Sequence, residues 1–280
     1  MNKRHYDLAF GFGAVCGCSL TLRRAGLQYL SFPGDWTAPV WFDETHPRIE
    51  HDLRKRADLF CNGLDELFLP GDFRFLRSHP WNGKDIYCNI RHQYTFNHDF
   101  PAGGDFASEM PKVKTKYFRR YERLIGLIRS SKRVLVVRMD MPHPERPKAT
   151  LADCRYARMK LSKKFPGVIF DFVLLSYDQG RTYENRVEEI TDDGIFHYAF
   201  DYLETKPGKD PWQPDLALTS RHFAERFSVR DYRSPQEIAA HEDIMRRKKW
   251  SKYGAKGPLG YFVKKLLSKF RHSASTCNNA

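Results

Sequence analysis

No pair among the six cysteines, Cys16, Cys18, Cys61, Cys88, Cys154 and Cys277, has the CxxC spacing of a zinc site; Cys16 and Cys18 make only a lone CxC. No metal and no disulfide framework is implied, and nothing calls for an organic cofactor. The opening MNKRHYDLAF runs directly into an apolar alternation without the pattern of a cleavable leader, so the expected setting is reduced and cytoplasmic. Apolar runs long enough to cross a bilayer are missing, as are internal repeats and low-complexity tracts. Acidic residues are absent from Met245 to Ala280, a stretch with ten Lys or Arg. The formal net charge is +13, but the preceding 244 residues hold 37 basic and 34 acidic side chains, a net of +3. A nearly neutral body argues against a nucleic-acid groove, and a basic terminal segment argues for contact with an acidic surface.

What is present suffices for a large core: 280 residues, 41% of them hydrophobic. Leu8, Phe10 and Phe12 alternate with smaller residues, the period of a buried strand, and Gly11 and Gly13 permit a sharp turn at its end. A helix is expected to start near Cys16, where unpaired N–H groups and the positive dipole end favour a thiolate. Further on, Glu50 to Phe60 suits a surface helix, Asp85 to Phe96 a strand, and Lys116 to Arg129 an amphipathic helix. Arg133 to Met139 and Gly167 to Tyr177 read as strands covered on both faces, joined by a helix over Leu151 to Lys164 in a βαβ unit. Phe196 to Leu203 alternates as a further strand. The expected class is α/β: a mostly parallel central sheet with flanking helices, a nucleophile at the turn after the first strand, and a basic helical tail. We expect a catalytic domain over 1–203, a peripheral linker over 204–233 and the tail over 234–280, its first helix opened by the capping box Ser234-Pro235-Gln236-Glu237.

In open parallel sheets the reactive groups gather at the carboxyl ends of the strands. Cys16, His98 with Asp99, Asp140 with His143, and Asp178 all follow expected strands. A thiol, an imidazole and a carboxylate are the set needed for a nucleophile, its base and the group that orients the base. Each also has an ordinary reading: a small buried cysteine with Cys18 as its rival, a capping or solvated histidine, a turn carboxylate. Arg119, Arg120 and Arg123 are either a solvated helix face or a cradle for an anionic group.

GAVCGCSLTLRRAGLQYLSFPGDW resembles the opening signature of an uncharacterised bacterial family of papain-like cysteine peptidases, in which a G-x-x-C turn leads through Leu-Arg to a Ser-x-Pro-Phe-Asp-Trp block. Leu22, Arg23, Gly26, Leu27, Ser31, Pro33, Asp35 and Trp36 fall in step when Cys16, not Cys18, takes the cysteine position. His98-Asp99-Phe100 and the set Lys116, Tyr117, Arg119, Arg120 and Arg123 resemble later blocks, so the likeness spans about residues 6 to 140. The resemblance implies a thioester-forming peptide or amide hydrolase. Cys16 is then the nucleophile, His98 the base and Asp99 or Asp140 its orienting partner. Arg23, Asp35, Trp36, Arg119, Arg120 and Arg123 would hold substrate. Gly34 stands where that family has phenylalanine, which implies a missing aromatic wall. The topology separately suggests acyl transfer to an envelope sugar, and the aromatic loops suggest a non-enzymatic glycan or glycolipid binder. Peptide, acyl and glycan substrates therefore all stay open.

In the tail, Phe262, Val263, Leu266, Leu267 and Phe270 form one apolar stripe on a helix, with Lys264, Lys265, Lys269 and Arg271 elsewhere. That pattern suits a helix lying in the headgroups of an anionic membrane, here the inner face of the cytoplasmic membrane.

Overall fold

The computed structural model describes residues 3–13, 16–39, 52–79, 82–140, 148–178, 187–192, 194–201 and 216–252. The chain opens with β1 (Arg4–Tyr6) and β2 (Leu8–Gly11), then α1 (Cys16–Arg24), a 3-10 turn over Pro33–Trp36, β3 (Thr37–Pro39) and α2 (Asp52–Asn62). β4 (Phe73–Ser78), β5 (Lys84–Asn89) and β6 (Tyr94–Pro101) come next, followed by the long α3 (Phe106–Arg129). The βαβ unit is β7 (Arg133–Met139), α4 (Leu151–Lys164) and β8 (Ile169–Asp178). β9 (Val187–Asp192), β10 (Ile195–Asp201), α5 (Leu216–Arg226) and β11 (Phe227–Val229) complete the first of two compact units, Met1–Tyr232. The second unit, Arg233–Ala280, contributes α6 (Pro235–Lys252), where Ser234 Oγ accepts from the Glu237 N–H at 3.2 Å and Glu237 accepts from the Ser234 N–H at 2.9 Å. Those two bonds are the capping box legible in the sequence.

The central sheet runs β2-β7-β8-β10-β9, parallel except for β9. Alternation places Leu8, Phe10, Val134, Val136, Phe170 and Phe172 in the core on one face, and Ala9, Leu135, Val137, Val173 and Leu175 in the core on the other. Both faces are thus covered, which is why β7 and β8 read as unbroken apolar runs. The fold is α/β with a mostly parallel sheet flanked by helices, as the sequence indicates.

Three local expectations are corrected. The single strand expected over Asp85 to Phe96 is a hairpin: β5 turns at residues 90–93 and returns as β6, part of a separate antiparallel sheet ordered β3-β6-β5-β4. The turn is made by the Asn89 side chain accepting from the His92 N–H at 2.8 Å and by Gln93 at φ 58°, without the usual Gly or Pro signal. α3 begins ten residues earlier than expected, at a cap where Asp105 accepts from the Ser108 N–H at 3.0 Å, and it carries Pro111 inside. Finally, the stretch 204–233, set apart as a linker, contains α5, which packs on α1, and β11, which pairs with β1. Among the described residues no helix is long and apolar enough to cross a membrane. The apolar stripe of the tail, Phe262 to Phe270, lies outside the described residues.

Candidate functional site

Cys16 is the first residue of α1, the element that follows β2 in the chain. The strand end is tightly seated: a Cβ on Gly11 would lie 2.9 Å from Cys18 Sγ, and one on Gly34 would lie 2.8 Å from the Gly11 carbonyl oxygen. Gly34 is therefore a close-packing position rather than the gap left by a missing aromatic wall. The space behind it is a cavity of about 30 Å³ bordered by Phe12, Arg56, Tyr94 and Tyr117, room for a water or two.

Cys16 is a partly exposed residue, whereas Cys18 is 1% exposed and donates to the Val137 carbonyl at 3.4 Å. Burial pushes the Cys18 thiol far up, and Phe223 and Leu22 share its core. Burial also raises Cys16, opposed among the described residues by the backbone N–H groups of Cys16 and Gly17. The expected depression of this thiol by the helix end is thus outweighed by desolvation, which favours the protonated thiol.

His98 and Asp99 lie within β6, in the second sheet, not at the strand end that carries Cys16. The β5–β6 register shifts between Phe96 and Phe100, the stretch that holds both residues, and the Asp99 carboxylate acts on the His98 ring through its charge. Asp99 is buried and accepts from Lys116 Nζ and, at 3.0 Å, from Tyr117 OH. His98 is exposed, with Asn82 Nδ2 at 3.2 Å from Nδ1 and the His79 ring 6.2 Å away; partial desolvation lowers its pKa while Asp99 opposes the shift. β3 continues from the Pro33–Trp36 turn and pairs Thr37 with Phe96, so the two blocks that carried the resemblance meet in space.

That turn is also where the arginines gather. Asp35 Oδ2 accepts from the Phe32 N–H at 2.8 Å and from Gln28 at 2.7 Å, with Arg23 3.5 Å away; Arg23 also donates to Ser31 Oγ at 2.7 Å. Arg123 donates to the Ser31 carbonyl at 2.6 Å, and Arg120 lies 5.7 Å from the Tyr117 ring and acts on Asp35. Arg119 is exposed on α3. Asp35, at 2% exposure, is an internal strut of the turn, and its burial raises its pKa. The side chains of Trp36 and Asp178, and His143 altogether, lie outside the described residues.

Asp140 is bonded to other groups. Its oxygens accept from Arg138 Nε at 2.7 Å and from the Ala149 N–H at 2.6 Å, at 1% exposure. Arg138 Nη1 donates to Asp52 at 2.5 Å, and Arg56 Nε donates to the same carboxylate at 2.8 Å. Sequence reading missed this buried set of Asp52, Arg56, Arg138 and Asp140. Its one signal was an arginine inside the apolar run RVLVVRM. Among the described residues no group of three or more His, Cys, Asp or Glu is placed to share a metal ion.

No solved structure matches this chain. An uncharacterised protein of Acanthamoeba polyphaga mimivirus, R408, is 26% identical over 151 residues, covering 47% of this chain and 60% of that protein's length. A family profile spans the whole region built above, from the first residue before β2 to the end of β8. Matched over residues 7–180, the chain belongs to the family described as "Putative papain-like cysteine peptidase (DUF1796)".

Proposed function

We propose that this chain is a cysteine-nucleophile hydrolase acting on a peptide or amide bond, with Cys16 forming an acyl-thioester. The observation that carries the reading is the placement of Cys16: a partly exposed cysteine on the first turn of α1, beyond the carboxyl end of a parallel strand, where the backbone N–H groups of Cys16 and Gly17 oppose the effect of burial on the thiol. Such N–H groups suit the charge that develops when a thiol becomes a thiolate. Because burial favours the protonated thiol, attack needs a base. His98 and His143 are the two imidazoles for that role. The amide nitrogen leaves with the proton taken from the thiol, and water then releases the acyl group.

The test is intact-mass detection of the thioester after incubation with an activated peptide ester. Adduct formation in the wild-type chain, its loss in Cys16→Ala and its persistence in Cys18→Ala is the expected pattern. His98→Ala and His143→Ala then identify the base by which of them abolishes the adduct at neutral pH. Adduct retained in Cys16→Ala would sink the proposal. A second reading is transfer of the acyl group to a sugar hydroxyl, favoured by the position of Cys16 after a strand of a parallel sheet. Adding a polyol acceptor to the preformed thioester distinguishes the two by whether the acceptor gains the acyl mass.

A further inference from the structure

Arg138 is a charged residue inside an apolar strand, and its side chain is 0% exposed. A buried guanidinium persists only where fixed acceptors replace water. Here the acceptors come from three separate parts of the chain: Asp140 at the end of β7 at 2.7 Å, Asp52 at the start of α2 at 2.5 Å, and the Phe12 carbonyl at the exit of β2 at 3.3 Å. Each acceptor is itself fixed. Arg56 holds Asp52 from the other side, and Asp140 takes the Ala149 N–H just before the Thr150 cap of α4. The Phe12 N–H donates to the Val137 carbonyl at 2.8 Å, so this residue is gripped at both its polar groups.

We propose that Arg138 is the positioning residue for the nucleophile: by joining the Phe12 carbonyl to Asp52 and Asp140, it fixes the exit of β2 into α1 and so the depth at which the Cys16 thiol sits. Asp140 belongs to this anchor and not to a catalytic triad. Only the catalytic consequence rests on the reading of Cys16 as nucleophile. A planar fork is required, because a lysine ammonium is a point charge that cannot hold three acceptors in one plane.

The experiment uses the full chain, with Cys16 and Cys61, the two partly exposed cysteines among the described residues, as probe and control. Iodoacetamide labelling at pH 8 is followed by peptide mass mapping in the wild type and in Arg138→Lys. The expected result is Cys16 labelling faster by at least about fivefold, with Cys61 unchanged within about twofold. Joint acceleration of Cys16, Cys61 and buried Cys154 would mean general loosening and would overturn the proposal, as would an unchanged or slower Cys16. If Arg138→Lys does not fold, Asp140→Asn carries the same comparison, since it cuts the ion pair while keeping an acceptor for the Ala149 N–H. Thioester formation is scored separately: a wild-type chain that never forms the adduct sinks the hydrolase reading, while the labelling ratio still decides the role of Arg138.

Discussion

At the scale of single residues, two positions have consequences that solution measurements can read. Burial raises the Cys16 thiol, so the pH profile of its alkylation in the free chain should rise with an apparent pKa above the ordinary cysteine value of about 8.5. A midpoint at or below that value would show that the helix end dominates after all. Gly34 is the second. Gly34→Ala places a methyl group 2.8 Å from the Gly11 carbonyl, and we expect it to lower stability by about 1–3 kcal/mol in denaturant melts. A neutral Gly34→Ala would mean that the turn relaxes freely. His222 adds a pH term: it is 8% exposed, accepts from Arg226 Nε at 2.9 Å and packs 4.5 Å from Tyr198, and burial lowers its pKa to about 4. The folded state binds its proton less readily than the unfolded state, so this contribution is complete above about pH 6.5 and is lost as pH falls toward 4, to a total of about 2–3 kcal/mol. His222→Phe should flatten that part of the stability curve.

At the scale of elements, what could be read depended on whether the signal was periodic. β7, β8 and α4 carry their patterns locally, and in the structure α4 opens on a Thr150–Asp153 capping box, with Asp153 N donating to Thr150 Oγ1 at 3.1 Å and Thr150 N to Asp153 at 2.9 Å. Thr150→Ala should cost about 1 kcal/mol, and a change within error would show that the Arg54–Asp153 ion pair carries the helix start instead. The β5–β6 hairpin stayed hidden because Asn89 and Gln93 do the work normally announced by Gly or Pro. That omission displaced His98: read as a residue beyond a strand end, it sits inside a strand of a second sheet. Cys16 was placed correctly because a small-residue turn and a helix start are local features. The partners of Asp99 were illegible because Lys116 and Tyr117 reach it only through tertiary packing, whereas Arg138, two residues before Asp140, was open to reading and was passed over.

At the scale of the whole molecule, the separation of charge along the sequence is the feature with the widest reach. The tail from Met245 holds ten basic residues and no acidic ones, and its apolar stripe gives it a reason to leave water. We predict that the full chain co-sediments with anionic vesicles, that salt weakens the binding, and that a chain ending at Lys256 binds several-fold less. Equal binding of the two would end the membrane proposal.

The pairing of β1 with β11 sets the timing of completion during synthesis. Arg4 lies beside Phe227 and Tyr6 beside Val229, so β1 waits during synthesis for a partner made more than two hundred residues later. At 5–20 residues per second that wait is roughly ten to forty-five seconds, through which Tyr6 and its apolar neighbours lack the strand that covers them. A nascent chain stalled before Phe227 should therefore be a preferred client for chaperones that recognise exposed aromatic segments.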